Sequence, residues 1–172
     1  MAEKFLTVYA VLDEASQQTL LGCRRVLEAA GIAGTQTNDI PFHISLGSYP
    51  VDSADVLPSR IRDVCAQTAP FPLRLAALGD FGNRVLFARP EDSGEIMRLR
   101  GVFDNDYPNA FPYYPHCTIL QDTQANVISA GKLLASCFRP FTATVVGIEL
   151  GEFFPTRRLL YAPFAKPPLS AR

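Results

Sequence analysis

Apolar and polar positions follow two rhythms along this 172-residue chain. Phe5–Leu12 is rich in Val, Tyr and Leu, the composition of a strand. Residues 14–30 instead place Leu20, Leu21, Val26 and Leu27 at helical spacing, and the run stops at Gly31. Strand-like alternation returns over 43–47. Residues 55–69 predict a second helix, with Pro58 in its first turn, where a missing N–H costs nothing. Phe71–Phe81 and 84–89 predict a hairpin across Gly82-Asn83. A helix over 93–105, a strand over 116–120, a helix over 125–138 and strands over 142–153 and 158–163 follow. Pro167-Pro168 ends the pattern and predicts a loose tail over 167–172. Strands outnumber helices, and hairpins adjoin helical crossovers. The expected fold is therefore α+β, with two pseudo-symmetric lobes of antiparallel strands, flanking helices and a cleft between them.

The second half of this order echoes the first. Leu78-Gly79-Asp80-Phe81 returns as Leu150-Gly151-Glu152-Phe153, and Arg84-Val85-Leu86-Phe87-Ala88 as Arg158-Leu159-Leu160-Tyr161-Ala162. His43-Ile44-Ser45-Leu46 returns as His116-Cys117-Thr118-Ile119, with the histidines 73 residues apart. Three matches in one order, at nearly one offset, predict an internal duplication, roughly 5–90 and 91–166, within one domain.

Those two histidines are the only ones in the chain. Each begins the pattern His, apolar, hydroxyl, apolar, which composition alone would give to both about 0.1% of the time. In a strand alternate side chains share a face. His43 and Ser45 then project together, as do His116 and Thr118, while Ile44, Leu46, Cys117 and Ile119 face a core. Pro41-Phe42 and Tyr114-Pro115 precede the motifs, and proline disfavours helix just before it.

Bulk properties narrow the chemistry. The net charge is −1, so the molecule has no strong field for gripping a long nucleic-acid duplex. The basic pairs Arg24-Arg25 and Arg157-Arg158 have solvated faces as their simplest reading. No signal peptide or bilayer-length apolar run is visible. The four cysteines, Cys23, Cys65, Cys117 and Cys137, show no C-x-x-C spacing and are expected as reduced core thiols in a cytoplasmic protein. Two histidines without HExxH or paired cysteines do not compose a zinc site, and no phosphate-cradling G-x-x-x-x-G-K loop occurs. No cofactor is expected, and nothing calls for an obligate partner, so a monomer is expected.

Two imidazoles and two hydroxyls in one cleft suit acid–base chemistry on a phosphate. Imidazole titrates near neutrality, so one ring can accept a proton while the other gives one. Ser45 and Thr118 can donate to non-bridging oxygens as charge builds there. A Cys117 nucleophile is disfavoured, because alternation turns it away from His116.

On these motifs the chain resembles the two-histidine phosphoesterase superfamily, and within it small 2′-5′ RNA ligase-like and cyclic phosphodiesterase proteins. The likeness runs from Phe5 to Ala162. The resemblance implies opening, or reversible forming, of 2′,3′-cyclic phosphate or 2′,5′-phosphodiester bonds without ATP or metal. It implies a small cyclic nucleotide or an RNA 3′ end as substrate. Carried over by position, the catalytic set is His43, Ser45, His116 and Thr118. His116 would activate water and His43 protonate the leaving ribose oxygen, although pseudo-symmetry leaves the reverse open. The hydroxyl at Ser45 departs from the commoner Thr and keeps the donor. Gln121 stands five residues after the second histidine, where relatives often carry Arg or an aromatic that touches substrate, and this change points away from long RNA. Strand parity puts Gln121 opposite His116 unless the strand bulges or ends there. Tyr9 lies where some relatives stack a base, with a core tyrosine as the alternative. Phe87 and Tyr161 read as fillers of the two lobes. A nucleotide- or RNA-end-binding module with little turnover is the alternative to an enzyme.

Overall fold

In a computed structural model, residues 4–36, 38–108 and 112–165 are described. The elements run β1 (Phe5–Leu12), α1 (Glu14–Ala29), β2 (His43–Pro50), a 3₁₀ turn (Val51–Asp55), α2 (Leu57–Ala66), β3 (Phe71–Phe81) and β4 (Val85–Pro90). They continue with α3 (Gly94–Val102), β5 (Cys117–Gln121), α4 (Gln124–Cys137), β6 (Phe141–Phe153) and β7 (Arg157–Pro163). The expected elements all occur, with shifted ends. The second helix starts later because Val51–Asp55 tightens into the 3₁₀ turn, and Pro58 sits in the first turn of α2. The hairpin turns through Gly82 and Asn83, both at positive φ, as a two-residue turn of matching twist requires. The expected tail at 167–172 lies outside the described residues.

All strand pairs are antiparallel, in the order β1-β2-β5-β4-β3-β6-β7, with β6 also pairing with β1. Thirteen-residue β6 is what makes two lobes. Its first part pairs with β3 and completes the group β5-β4-β3. Its second part lies between β1 and β7 and completes the group β2-β1-β6-β7. Across the cleft, among the described residues, the two groups share one ladder bridge, Ile44 to Cys117.

β1 shows how the sheet divides its faces. Leu6, Val8, Ala10 and Leu12 belong to the main core beside Leu20 and Leu27 of α1, Ile61 of α2 and Leu134 of α4. Tyr9 and Val11 point the other way and pack with Phe153, Phe5 and Ile40 under the cleft. Both faces are covered, so the strand reads as a continuous apolar run rather than an alternation. Each fully buried Leu or Ile of this core contributes about 1.5–3 kcal/mol over leaving it exposed. Two of the four cysteines differ from expectation: Cys65 and Cys117 are core residues, Cys23 is half-buried and Cys137 is exposed. Tyr161 is 42% exposed, so it fills neither lobe, whereas Phe87 is buried. Among the described residues, no helix is long and apolar enough to cross a membrane.

Candidate active site

A cleft of about 270 Å³ opens between the two lobes, and His43, Ser45, His116, Thr118 and Gln121 all line it. The four motif residues therefore converge as alternation requires. Continuing the antiparallel register from the Ile44–Cys117 bridge sets His43 beside Thr118 and Ser45 beside His116. The imidazoles thus stand diagonally, each with a hydroxyl across from it. Among the described residues neither Ser45 Oγ nor Thr118 Oγ1 has a protein partner, so both hydroxyls are available to a ligand.

Each imidazole is oriented by its own chain. His43 Nδ1 lies 2.9 Å from the carbonyl oxygen of Pro41, and His116 Nδ1 lies 2.7 Å from that of Tyr114. A carbonyl only accepts, so Nδ1–H is the donor in both rings and Nε2 is left for the cleft. The proline-containing approaches make this possible by presenting a carbonyl two residues before each histidine.

Both motif strands also bulge at the same motif position. The β1–β2 register shifts so that Leu46 is the extra residue, and the β4–β5 register shifts so that Ile119 is. A bulge adds one residue and re-aims those beyond it. Past Leu46, Ser48 comes to the cleft; past Ile119, Gln121 does the same. This is why Gln121 shares the cleft with His116 against simple parity. Ile119 and Leu120 are in turn both buried.

An aromatic bed lies beside each histidine, made room for by a glycine. The Phe87 and Phe81 rings lie 5.1 and 4.8 Å from that of His116. A Cβ on Gly79 would come within 2.6 Å of Phe87. Tyr9 lies 4.5 Å from His43, and a Cβ on Gly151 would come within 3.1 Å of Tyr9. The repeated Leu-Gly-acid-Phe motif thus acquires a physical reason: its glycine leaves space for the ring that supports the imidazole.

Tyr9 differs from the reading of a base-stacking residue. It is 0% exposed, and its hydroxyl donates to Glu149 Oε2 at 2.9 Å. Arg158 Nη2 meets the other carboxylate oxygen at 2.9 Å. Burial, and then the Glu149 charge, push the phenol of Tyr9 upward, so it stays a neutral donor. A buried carboxylate needs such partners, and the tyrosine is consumed in supplying one.

A clamp holds the first motif strand in place. Arg100 of α3 donates through Nη1 to the carbonyls of Leu46 and Phe103, at 2.8 and 3.1 Å, and pairs with Asp104. Its guanidinium lies 4.7 Å from the Tyr113 ring centroid, and Tyr113 donates to the carbonyl of Ser45 at 2.9 Å. The bulge residue and its neighbour are thereby tied to the segment that leads into the second motif.

Electrostatically, both imidazoles favour the neutral form. Burial pushes His43 down to about 4, against the bond to Pro41 and with a further push from His116. Burial also lowers His116, opposed by its bond to Tyr114. Cys117 is fully buried on the core side, and that burial pushes its thiol up to about 12, so it is not a nucleophile at neutral pH. Among the described residues, no group of three or more His, Cys, Asp or Glu side chains is placed to hold a metal ion.

Sequence reasoning missed several cleft residues. Ser48 and Thr7 enter beyond the first bulge, with 3.5 Å between their hydroxyls, while Phe5, Phe153 and Phe154 form an aromatic end. Phe5 stacks on Phe153 at 5.4 Å. Gln36, Ile40, Phe42 and Arg24 line the other end. The 73-residue offset was the available signal for Ser48, since it is the counterpart of Gln121. Nothing local marks Arg24, which on sequence belongs to a basic pair on a helix face.

A two-lobed α+β chain with paired motif histidines facing one cleft defines a two-histidine phosphoesterase fold. Residues 33–153 match the family model of the 2′-5′ RNA ligase superfamily, and the chain belongs to that superfamily of phosphoesterases and RNA ligases. The fold matches apo E. coli LigT, at a TM-score of 0.63 and 14% identity, covering 95% of this chain and 98% of LigT. A second solved structure, of a phosphoesterase, matches at a TM-score of 0.58 and 17% identity over 95% of this chain and 96% of its own. Kluyveromyces marxianus Usb1 with uridine monophosphate matches at 0.51 and 14% identity, covering 94% of this chain and 98% of Usb1. No curated protein sequence matches the chain.

Proposed function

We propose that the cleft opens 2′,3′-cyclic phosphates, or related 2′,5′-phosphodiesters, in nucleotides or at RNA 3′ ends by two-histidine acid–base catalysis. The observation that carries this reading is the matched pair of Nδ1 locks, which leaves two Nε2 atoms and two unpartnered hydroxyls for one ligand. One neutral Nε2 takes a proton from water as its oxygen bonds to phosphorus. The bond from phosphorus to one ribose oxygen breaks, and that oxygen takes the proton of the other, protonated imidazole. A phosphomonoester leaves, and proton exchange with solvent restores the pair. Ser45 and Thr118 donate to the non-bridging oxygens. His43, the more strongly depressed, is suited to accept the proton, and His116, nearer its ordinary value, to deliver one; this reverses the roles that the resemblance implies.

Solved relatives support a small ligand: E. coli LigT has been crystallised with 3′-AMP and with phosphate. The paired bulges and glycines support the duplication, 5–90 and 91–166, within a single domain. The free thiols fit a reducing compartment such as the cytoplasm.

Incubation with 2′,3′-cyclic AMP, with and without EDTA, tests the reading by chromatography of the products. Hydrolysis that persists in EDTA is expected, whereas hydrolysis abolished by EDTA would sink the metal-free mechanism. Tight binding of the nucleotide without turnover would instead make the chain a binding module. Because the acid must be an imidazolium and both rings are lowered from 6.5, kcat/KM is expected to be highest below pH 6.5 and to fall above it.

A further inference from the structure

Arg24 is the one permanently charged side chain among the described residues that line the cleft. It reaches there from α1, and its guanidinium lies 4.3 Å from the ring centroid of Phe42, the residue just before His43. Its end of the cleft, shared with Gln36 and Gln121, is where β2 begins and β5 ends.

The guanidinium is held but left unsatisfied. Nη1 donates to Asn38 Oδ1 at 3.0 Å, while the enclosed Nε has no hydrogen-bond partner. Among the described residues Arg24 forms no ion pair, and unlike the other unpaired arginines it lines the cleft. Burial makes its charge costly and lowers its pKa. The Glu28 charge, one turn along α1, offsets part of that cost without forming an ion pair, and a partly buried cation with an orphaned donor still calls for an explanation. The Phe42 ring beside the guanidinium restrains it, and among the described residues no hydrogen bond is made by Nη2, which is left for an incoming oxygen.

Resting on the phosphoesterase reading above, we propose that Arg24 is the phosphate-binding cation of this cleft, supplying from a helix the positive charge that neither motif strand carries. Its ligand is a phosphate oxygen, either of the reacting phosphate or of a second phosphate on the same nucleotide.

Calorimetric titration with inorganic phosphate, 3′-AMP and adenosine 3′,5′-bisphosphate tests this on the full chain. Arg24→Met keeps the stem on Phe42 and is expected to weaken binding by about 10- to 100-fold, the worth of a charge-assisted hydrogen bond. Loss with inorganic phosphate assigns the cation to the reacting group, and loss confined to the bisphosphate assigns it to a second phosphate. Gln121→Arg added to Arg24→Met returns a charge to the same end of the cleft and is expected to regain binding. Asn38→Ala, which removes only the loop contact, is expected to bind within about threefold of the parent. If Arg24→Met binds all three ligands like the parent and only its thermal midpoint falls, Arg24 is a loop anchor and the proposal is overturned. If the parent neither binds these ligands nor hydrolyses 2′,3′-cyclic AMP, the phosphoesterase reading itself fails, and this inference falls with it.

Discussion

His43 and His116 start from the same local geometry and end in different surroundings. Each lies two residues after a carbonyl that fixes its Nδ1, three residues before a bulge, and beside a ring admitted by a glycine. Around His116 the bed is purely apolar, Phe81 and Phe87 from one hairpin. Around His43 it is Tyr9, anchored through buried Glu149 to Arg158, and Arg100 and Tyr113 clamp the strand as well. The deeper setting of His43 holds its imidazole neutral more firmly. Near-symmetric strands thus become inequivalent through burial, and acid–base catalysis needs that inequivalence.

The largest effects should come from the imidazoles. His43→Ala and His116→Ala are each expected to lower kcat/KM on 2′,3′-cyclic AMP by about 10²–10⁴-fold. A p-nitrophenyl phosphodiester separates their roles, because its leaving group departs without a proton. On that substrate His116→Ala should retain much of its activity while His43→Ala does not; the opposite pattern would restore the roles implied by the resemblance.

Stability should next report the burial of His43. Its folded pKa is about 4, against an ordinary value of 6.5, so between these pH values the unfolded chain binds a proton that the folded chain does not. The contribution is fully present above pH 6.5 and is lost as pH falls toward 4, at most ~3 kcal/mol. Urea midpoints at pH 7 and 4.5 should therefore differ less in His43→Asn than in the parent, and less markedly so for His116→Asn. Equal slopes for both variants would remove the asymmetry.

The clamp belongs to the first motif alone. Arg100→Met should cost about 1.5–3 kcal/mol by urea unfolding, since it strips a charged donor from the Leu46 and Phe103 carbonyls. The smallest effect should separate the two glycines. Gly79→Ala presses on Phe87 from 2.6 Å and should cost about 1–2 kcal/mol, and Gly151→Ala, at 3.1 Å from Tyr9, less. A larger loss for Gly151→Ala would mean that the Tyr9 side is the more tightly packed.

Much of this was legible because local rules leave local marks. Helical spacing in 14–30, the Gly82-Asn83 turn and the alternation in both histidine motifs each rest on interactions a few residues long. Parity left the side of Gln121 open to a bulge because a bulge is a property of strand pairing: Ile119 becomes the extra residue only when β5 lies against β4. Tyr9 illustrates the same limit. Its partner Glu149 is distant in sequence, and only the β1–β6 pairing brings them together.

The sequence by itself determined the elements, their order and the two His-hydroxyl pairs, since backbone period and turn chemistry are written residue by residue. Tertiary structure alone decided how the pairs meet across that cleft, that Tyr9 is buried beside an imidazole, and that Arg24 leaves its helix face for the cleft. Burial, strand register and desolvation depend on what lies across space, and long-range pairing through β6 and the single Ile44–Cys117 bridge set all three.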